Sequence, residues 1–140
     1  MQVVLGSDEK TGLTDAVAHW LQRQGHSVQL VGPPAGESDQ WAAVGRRVGE
    51  LVANGEAEQG FLFCWTGTGA AIAANKVPGI RAALCADAPT AAGARKWNDA
   101  NVLVMSNRLV TDAVAEEMLT AWFDTSPDAA EADNIAQLEG

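Results

Sequence analysis

The sequence predicts an α/β protein, a Rossmann-like three-layer sandwich built on a five-stranded parallel sheet. Short apolar runs alternate with amphipathic stretches five times along the 140 residues, the pattern of parallel strands joined by crossover helices. Runs such as Phe61-Leu62-Phe63 show no polar alternation, as expected of a sheet covered on both faces. Hydrophobic residues make up 47% of the chain, enough for a core, and 1–140 reads as one domain without repeat or linker.

The elements follow in order. Residues 2–5 form an apolar run that ends at Gly6. Residues 13–24 carry Leu13, Val17, Trp20 and Leu21 at helical spacing, and Gly25 stops the helix. Strand 27–31 leads into a Pro-Gly loop. A helix over 39–53 has the stripe Trp41, Val44, Val48, Leu51 and Val52, closed by Asn54-Gly55. Strand 60–64 runs into a glycine-rich loop and a small-residue helix over 70–74. Strand 81–85, helix 90–97, strand 101–105 and helix 112–123 complete the alternation. The tail 126–140 is polar and alanine-rich, with weak helical character. Val114, Met118, Leu119 and Trp122 line one side of helix 112–123 and offer an assembly surface.

Eighteen acidic and nine basic residues give a net charge of −9, and no Lys or Arg follows Arg108. That balance argues against nucleic acid or an anionic membrane as partner. No apolar run approaches the roughly 18 residues of a membrane span, and the N-terminus carries no basic leader. Cys64 and Cys85 are the only cysteines, too few for a disulfide framework, so a cytoplasmic protein with free thiols is expected.

Parallel sheets bind ligands at the carboxyl ends of their strands. That rule gathers Ser7-Asp8, the stretch 64–69 and the residues after Met105 on one rim. Cys64-Trp65-Thr66-Gly67-Thr68-Gly69 links a strand to a helix and offers backbone N–H groups to an anion. The bland alternative is a tight turn. Ile72 stands where a dinucleotide fingerprint needs a third glycine, and no P-loop Gly-Lys follows. Cys64, at a strand end beside a helix N-terminus, is placed as base or nucleophile, or as a small buried hydrophobe. For Cys85 the buried hydrophobe is preferred.

Longer strings carry a resemblance: AANKVPGIRAALC over 73–85, NDANVL over 98–103, Gly6-Ser7-Asp8, and Cys64-x-Thr66-Gly67-x-Gly69. Over roughly residues 1–125 the chain resembles the family of type B ribose-5-phosphate isomerases and galactose-6-phosphate isomerases. The resemblance implies metal-free, cofactor-free interconversion of aldose and ketose phosphates. It implies Cys64 as the proton-moving base, assisted by Thr66. The amides of Gly67, Thr68 and Gly69 would hold the enediolate oxygen. Asp8 and Asn98 would contact sugar oxygens and Arg108 the phosphate. It also implies a homodimer or dimer-based tetramer with sites shared between subunits.

Four positions depart from the family's pattern. Glu9 replaces a histidine after Ser-Asp. Trp97 replaces the histidine before Asn-Asp that is thought to open the sugar ring, and an indole cannot shuttle protons. Trp65 replaces a glycine. The arginine-rich C-terminal segment is absent. The expected partner is thus a sugar or sugar phosphate, with preference shifted from ribose 5-phosphate or activity on it much weakened, and with Glu9, Trp65 and Trp97 added to the binding set. Trp41, Trp65 and Trp97 could form an aromatic wall, although Trp20, Trp41 and Trp122 read first as core aromatics. His19 and His26 read as structural or exposed. The alternative function is a non-catalytic or sugar-binding paralogue serving as subunit of a heteromeric isomerase.

Overall fold

The computed structural model describes residues 1–139. Five strands, β1 (Gln2–Ser7), β2 (Ser27–Val31), β3 (Gln59–Cys64), β4 (Ala82–Leu84) and β5 (Val102–Ser106), form one all-parallel sheet in the order β2-β1-β3-β5-β4. The helices are α1 (Gly12–Arg23), α2 (Trp41–Ala53), α3 (Thr68–Asn75), α4 (Ala88–Asn98), α5 (Asp112–Phe123) and α6 (Ala132–Gln137). A 3-10 turn at Ala129–Glu131 precedes α6, so the tail is partly helical.

Side chains alternate across each strand, and the sheet therefore has two cores. Val3, Leu5, Phe61, Phe63, Leu103 and Met105 face α1, α4 and α5. Val4, Leu62, Val102 and Val104 face α2 and α3, and Cys64 shares that side. Each fully buried large side chain contributes about 1.5–3 kcal/mol of transfer free energy. Trp122 is wholly buried, edge-on to Phe61, and its indole N–H donates to Gln59 Oε1 at 2.9 Å.

Four helices begin at other residues than the sequence reading gave, with α1 opening at Gly12 rather than 13 and α4 at Ala88 rather than 90. Gln40 caps α2, so that helix opens at Trp41 rather than 39. Thr68 and Gly69, read as loop, form the first turn of α3. The expected assembly stripe on α5 needs correction, because Met118, Leu119 and Trp122 are buried within the chain's own core. No helix among the described residues is long and apolar enough to cross a membrane.

Candidate active site

β1, β3 and β5 end side by side. Ser7 is level with Phe63, and Cys64 with Ser106. The loops that follow are stitched together beneath the rim. The Asn107 amide donates to the Cys64 carbonyl at 2.9 Å. The Trp65 carbonyl accepts from the Ser106 hydroxyl at 2.8 Å and the Arg108 amide at 3.1 Å. Asn107 Nδ2 donates to Ser7 Oγ at 3.2 Å, and Asn107 Oδ1 accepts from Thr11 at 3.3 Å. Ser106, Asn107 and Thr11 were not singled out in the sequence. The one signal available was a Ser-Asn-Arg triplet directly after an apolar strand.

Cys64 is buried and free. Its sulfur accepts the Gly67 amide at 3.2 Å. That amide is therefore committed to the sulfur, while Thr68 and Gly69 lie in the first turn of α3, where backbone N–H groups lack intrahelical partners. The Thr66 and Thr68 hydroxyls are paired at 2.9 Å, both on exposed residues.

Gly67 adopts φ +84°, and a Cβ on it would stand 2.5 Å from Leu84 Cδ1 and 3.3 Å from the Met105 backbone. Only glycine meets both demands. Trp41 lies on Gly69, where an added Cβ would come within 2.8 Å of the indole ring. At 45% exposure Trp41 is thus a rim residue, not the core aromatic expected of it. Trp65, 56% exposed, stands on the same loop as the thiol.

Asp8 is the first residue past β1, and Glu9 beside it is exposed. Asp8 stands in the bend that follows β1; two residues before it Gly6 faces Val44 and Val48 of α2, the side that Cys64 also takes. Its Oδ1 is buried and has no hydrogen-bond partner. Burial raises the Asp8 pKa above 3.8, partly offset by its own backbone N–H and reinforced by Glu9. Cys85 ends the neighbouring β4 segment, where burial and Asp87 push its thiol up to about 11, fitting its reading as an inert buried hydrophobe.

Trp97 and Asn98 do not join this group within one chain. α4 runs back against the strand direction, and Asn98 lines a groove with Asn75, Ile80, Arg81 and Ala82. Ala82 is level with Val102 and Gly60, four residues before Cys64, about 13 Å at ~3.3 Å per residue. Trp97 lines a separate groove with Leu84, Cys85 and Pro89. Trp97 lies over Gly93 of its own helix and is 53% exposed. Asp99 follows at φ +46°, held by Arg81 at 3.4 Å and Arg95 at 3.0 Å, with Glu139 of the tail also on Arg81. The histidines stand apart as well. His19 lines a hollow of about 280 Å³ between α1 and α5, and His26 stacks on Phe123 beside the N-terminal amine.

The family model for Ribose/Galactose Isomerase matches residues 3–138. The chain belongs to the ribose/galactose isomerase family. Among members of this family, it is 34% identical over 126 residues to a D-erythrulose-4-phosphate isomerase of Pectobacterium atrosepticum, covering 89% of this chain and 83% of that one. It is 38% identical over 108 residues to ribose-5-phosphate isomerase B of Escherichia coli, covering 77% and 72%. The solved structure of Clostridium thermocellum ribose-5-phosphate isomerase B superposes with a TM-score of 0.92 at 34% identity, over 99% of this chain and 95% of that one.

Proposed function

We propose that this protein interconverts an aldose and a ketose phosphate, with Cys64 moving a proton between C1 and C2. The observation that carries the reading is the Cys64 sulfur, bound by the Gly67 amide at 3.2 Å at the mouth of α3. One group there takes a carbon-bound proton, and the first-turn amides of Thr68 and Gly69 receive the oxyanion that forms. Thr66 assists from the same loop, and Arg108 supplies a cation at the rim. The relatives' names describe the same type of reaction. A purely structural subunit has no need of this sulfur and its amide. Two free thiols fit a cytoplasmic setting.

The site is completed by a second copy in a homodimer or dimer-based tetramer. Support comes from Asn98, whose groove begins level with Gly60, four residues before Cys64, and from Trp97 beside it, both on the exposed surface. With the α5 stripe internal, contact runs along the exposed β4–α4 groove, where Leu84 and Trp97 present apolar surface.

Preference is shifted from ribose 5-phosphate toward a short open-chain substrate. The position of the family's ring-opening histidine holds Trp97, whose indole cannot shuttle a proton, and the chain's two histidines both stand elsewhere. A four-carbon aldose esterified at O4 has no hydroxyl left to close a five-membered ring. The Pectobacterium relative is named for a substrate of that size. The test is kcat/KM on D-erythrose 4-phosphate and D-ribose 5-phosphate. The former should be favoured by roughly tenfold or more. Equal or reversed preference would sink the shift while leaving the isomerase reading intact.

A further inference from the structure

Aldose–ketose interconversion moves two protons. One passes between C1 and C2, and the other must pass between the oxygens on those carbons. Cys64 accounts for the first, and the second needs its own donor and acceptor on the same side of the sheet.

We propose that Asp8 is that group, a catalytic acid–base that carries the proton between O1 and O2; the proposal rests on the isomerase reading above. β1 and β3 are adjacent, strands lie about 4.8 Å apart, and Ser7 is level with Phe63, so Asp8 and Cys64 each directly follow a paired residue. Gly6 faces α2, and Cys64 lies in the core that α2 and α3 cover, so Asp8 leaves β1 beside that side of the sheet. Asp8 Oδ1 is sealed from solvent yet bonded to nothing in the chain. A buried carboxyl oxygen without a partner is costly unless a bound molecule supplies one. Burial also favours the protonated carboxyl.

The competing groups at the rim are less suited. Thr66 and Thr68 hydroxyls bond each other, and free hydroxyls neither gain nor lose protons readily near neutral pH. Glu9 shares the bend with Asp8 but is exposed. Cys85 holds its proton up to about 11.

The step balances as follows. Cys64, as thiolate, removes the proton from C2. The C–H electron pair becomes the C1=C2 bond, and the carbonyl π pair moves onto O1. The Asp8 carboxyl gives its proton to O1, leaving a carboxylate. That carboxylate takes the proton from the O2 hydroxyl as the C2=O bond forms, and the thiol returns its proton to C1. Both groups end as they began, and no oxidant or co-reactant enters.

The assignment separates two readouts. Enediol formation alone exchanges the C2 proton with solvent, whereas net conversion also needs the oxygen-to-oxygen transfer. Asp8→Asn should therefore keep Cys64-dependent exchange of the C2 proton of D-erythrose 4-phosphate with deuterium while losing conversion to the ketose by roughly 100-fold. Asp8→Ala should regain conversion on addition of formate, which covers any misfolding of the asparagine variant. Parallel loss of exchange and conversion would mark Asp8 as a binding residue and overturn the proposal. So would retained conversion, or a split found in Thr66→Val in place of Asp8→Asn. Absence of exchange in the unsubstituted protein, on this sugar or D-ribose 5-phosphate, would overturn the isomerase reading itself.

Discussion

Asn75 grips Ala82 by both backbone groups: its Nδ2 donates to the Ala82 carbonyl at 2.9 Å, and its Oδ1 accepts the Ala82 amide at 2.8 Å. Ala82 opens β4, which is an edge strand. The side chain thus takes the place of a sixth strand and blunts an edge that would otherwise pair with another chain. Asn75→Ala should cost about 1–3 kcal/mol, read as a lower urea midpoint. It should also raise the tendency to aggregate. Asn75→Asp should fall between, because it keeps the acceptor and loses the donor. An unchanged midpoint in the alanine variant would show that the grip contributes nothing.

Gly67→Ala tests the loop that holds the thiol. The substitution meets a positive φ and a Cβ contact of 2.5 Å with Leu84. Destabilisation of about 1–3 kcal/mol is expected, together with loss of activity as the Gly67 amide leaves the Cys64 sulfur. Circular dichroism and kcat on the preferred sugar phosphate check the two effects separately. Full activity in this variant would contradict the role given to the amide.

Complementation tests the shared site. Cys64→Ala and Asn98→Ala chains should each be inactive alone. Mixed after reversible dissociation, they should regain about a quarter of the activity, since half of the pairs are mixed and each mixed pair carries one intact site of two. No recovery, despite mixed dimers seen by mass spectrometry, would show that both residues act from one chain.

His26 gives a pH dependence of stability. Its Nδ1 lies 3.2 Å from the N-terminal amine and its ring stacks on Phe123 at 4.6 Å. Burial and the amine lower its pKa below 6.5, with Glu58 opposing them. The unfolded chain therefore binds the proton more readily than the folded one, so this contribution is present above pH 6.5 and fades as pH falls through the lower folded value. Tm should drop between pH 7.5 and 5, and His26→Gln should flatten the drop. An equal slope in both proteins would assign the effect elsewhere.

The architecture was legible in the residues because each signal was local. Apolar runs such as 61–64, too short for a helix and followed by glycines, fit two-sided strands, and Gly25 and Gly55 end helices where they stand. The rim was legible in outline, since Ser7-Asp8, the stretch 64–69 and the residues after Met105 all follow from one rule about strand ends. What was not legible depended on packing across elements. Trp41 shares the spacing of core residues on α2, yet it lies on Gly69 at the edge of the site. Met118 and Trp122 form a stripe that can serve an interface or a core, and only their place beside Phe61 and Phe63 decides it. The separation of Asn98 from Cys64 follows from the antiparallel return of α4, which adjacency in a motif does not convey.

The central claim is that Cys64 moves the carbon-bound proton. It is tested most directly by proton NMR in deuterium oxide with D-erythrose 4-phosphate and D-ribose 5-phosphate, comparing the unsubstituted protein with Cys64→Ala. The account predicts C2 exchange in the unsubstituted protein and a loss of roughly 100- to 10,000-fold in the variant, with secondary structure retained. Cys85→Ser should exchange as the unsubstituted protein does. Undiminished exchange in Cys64→Ala would contradict the account.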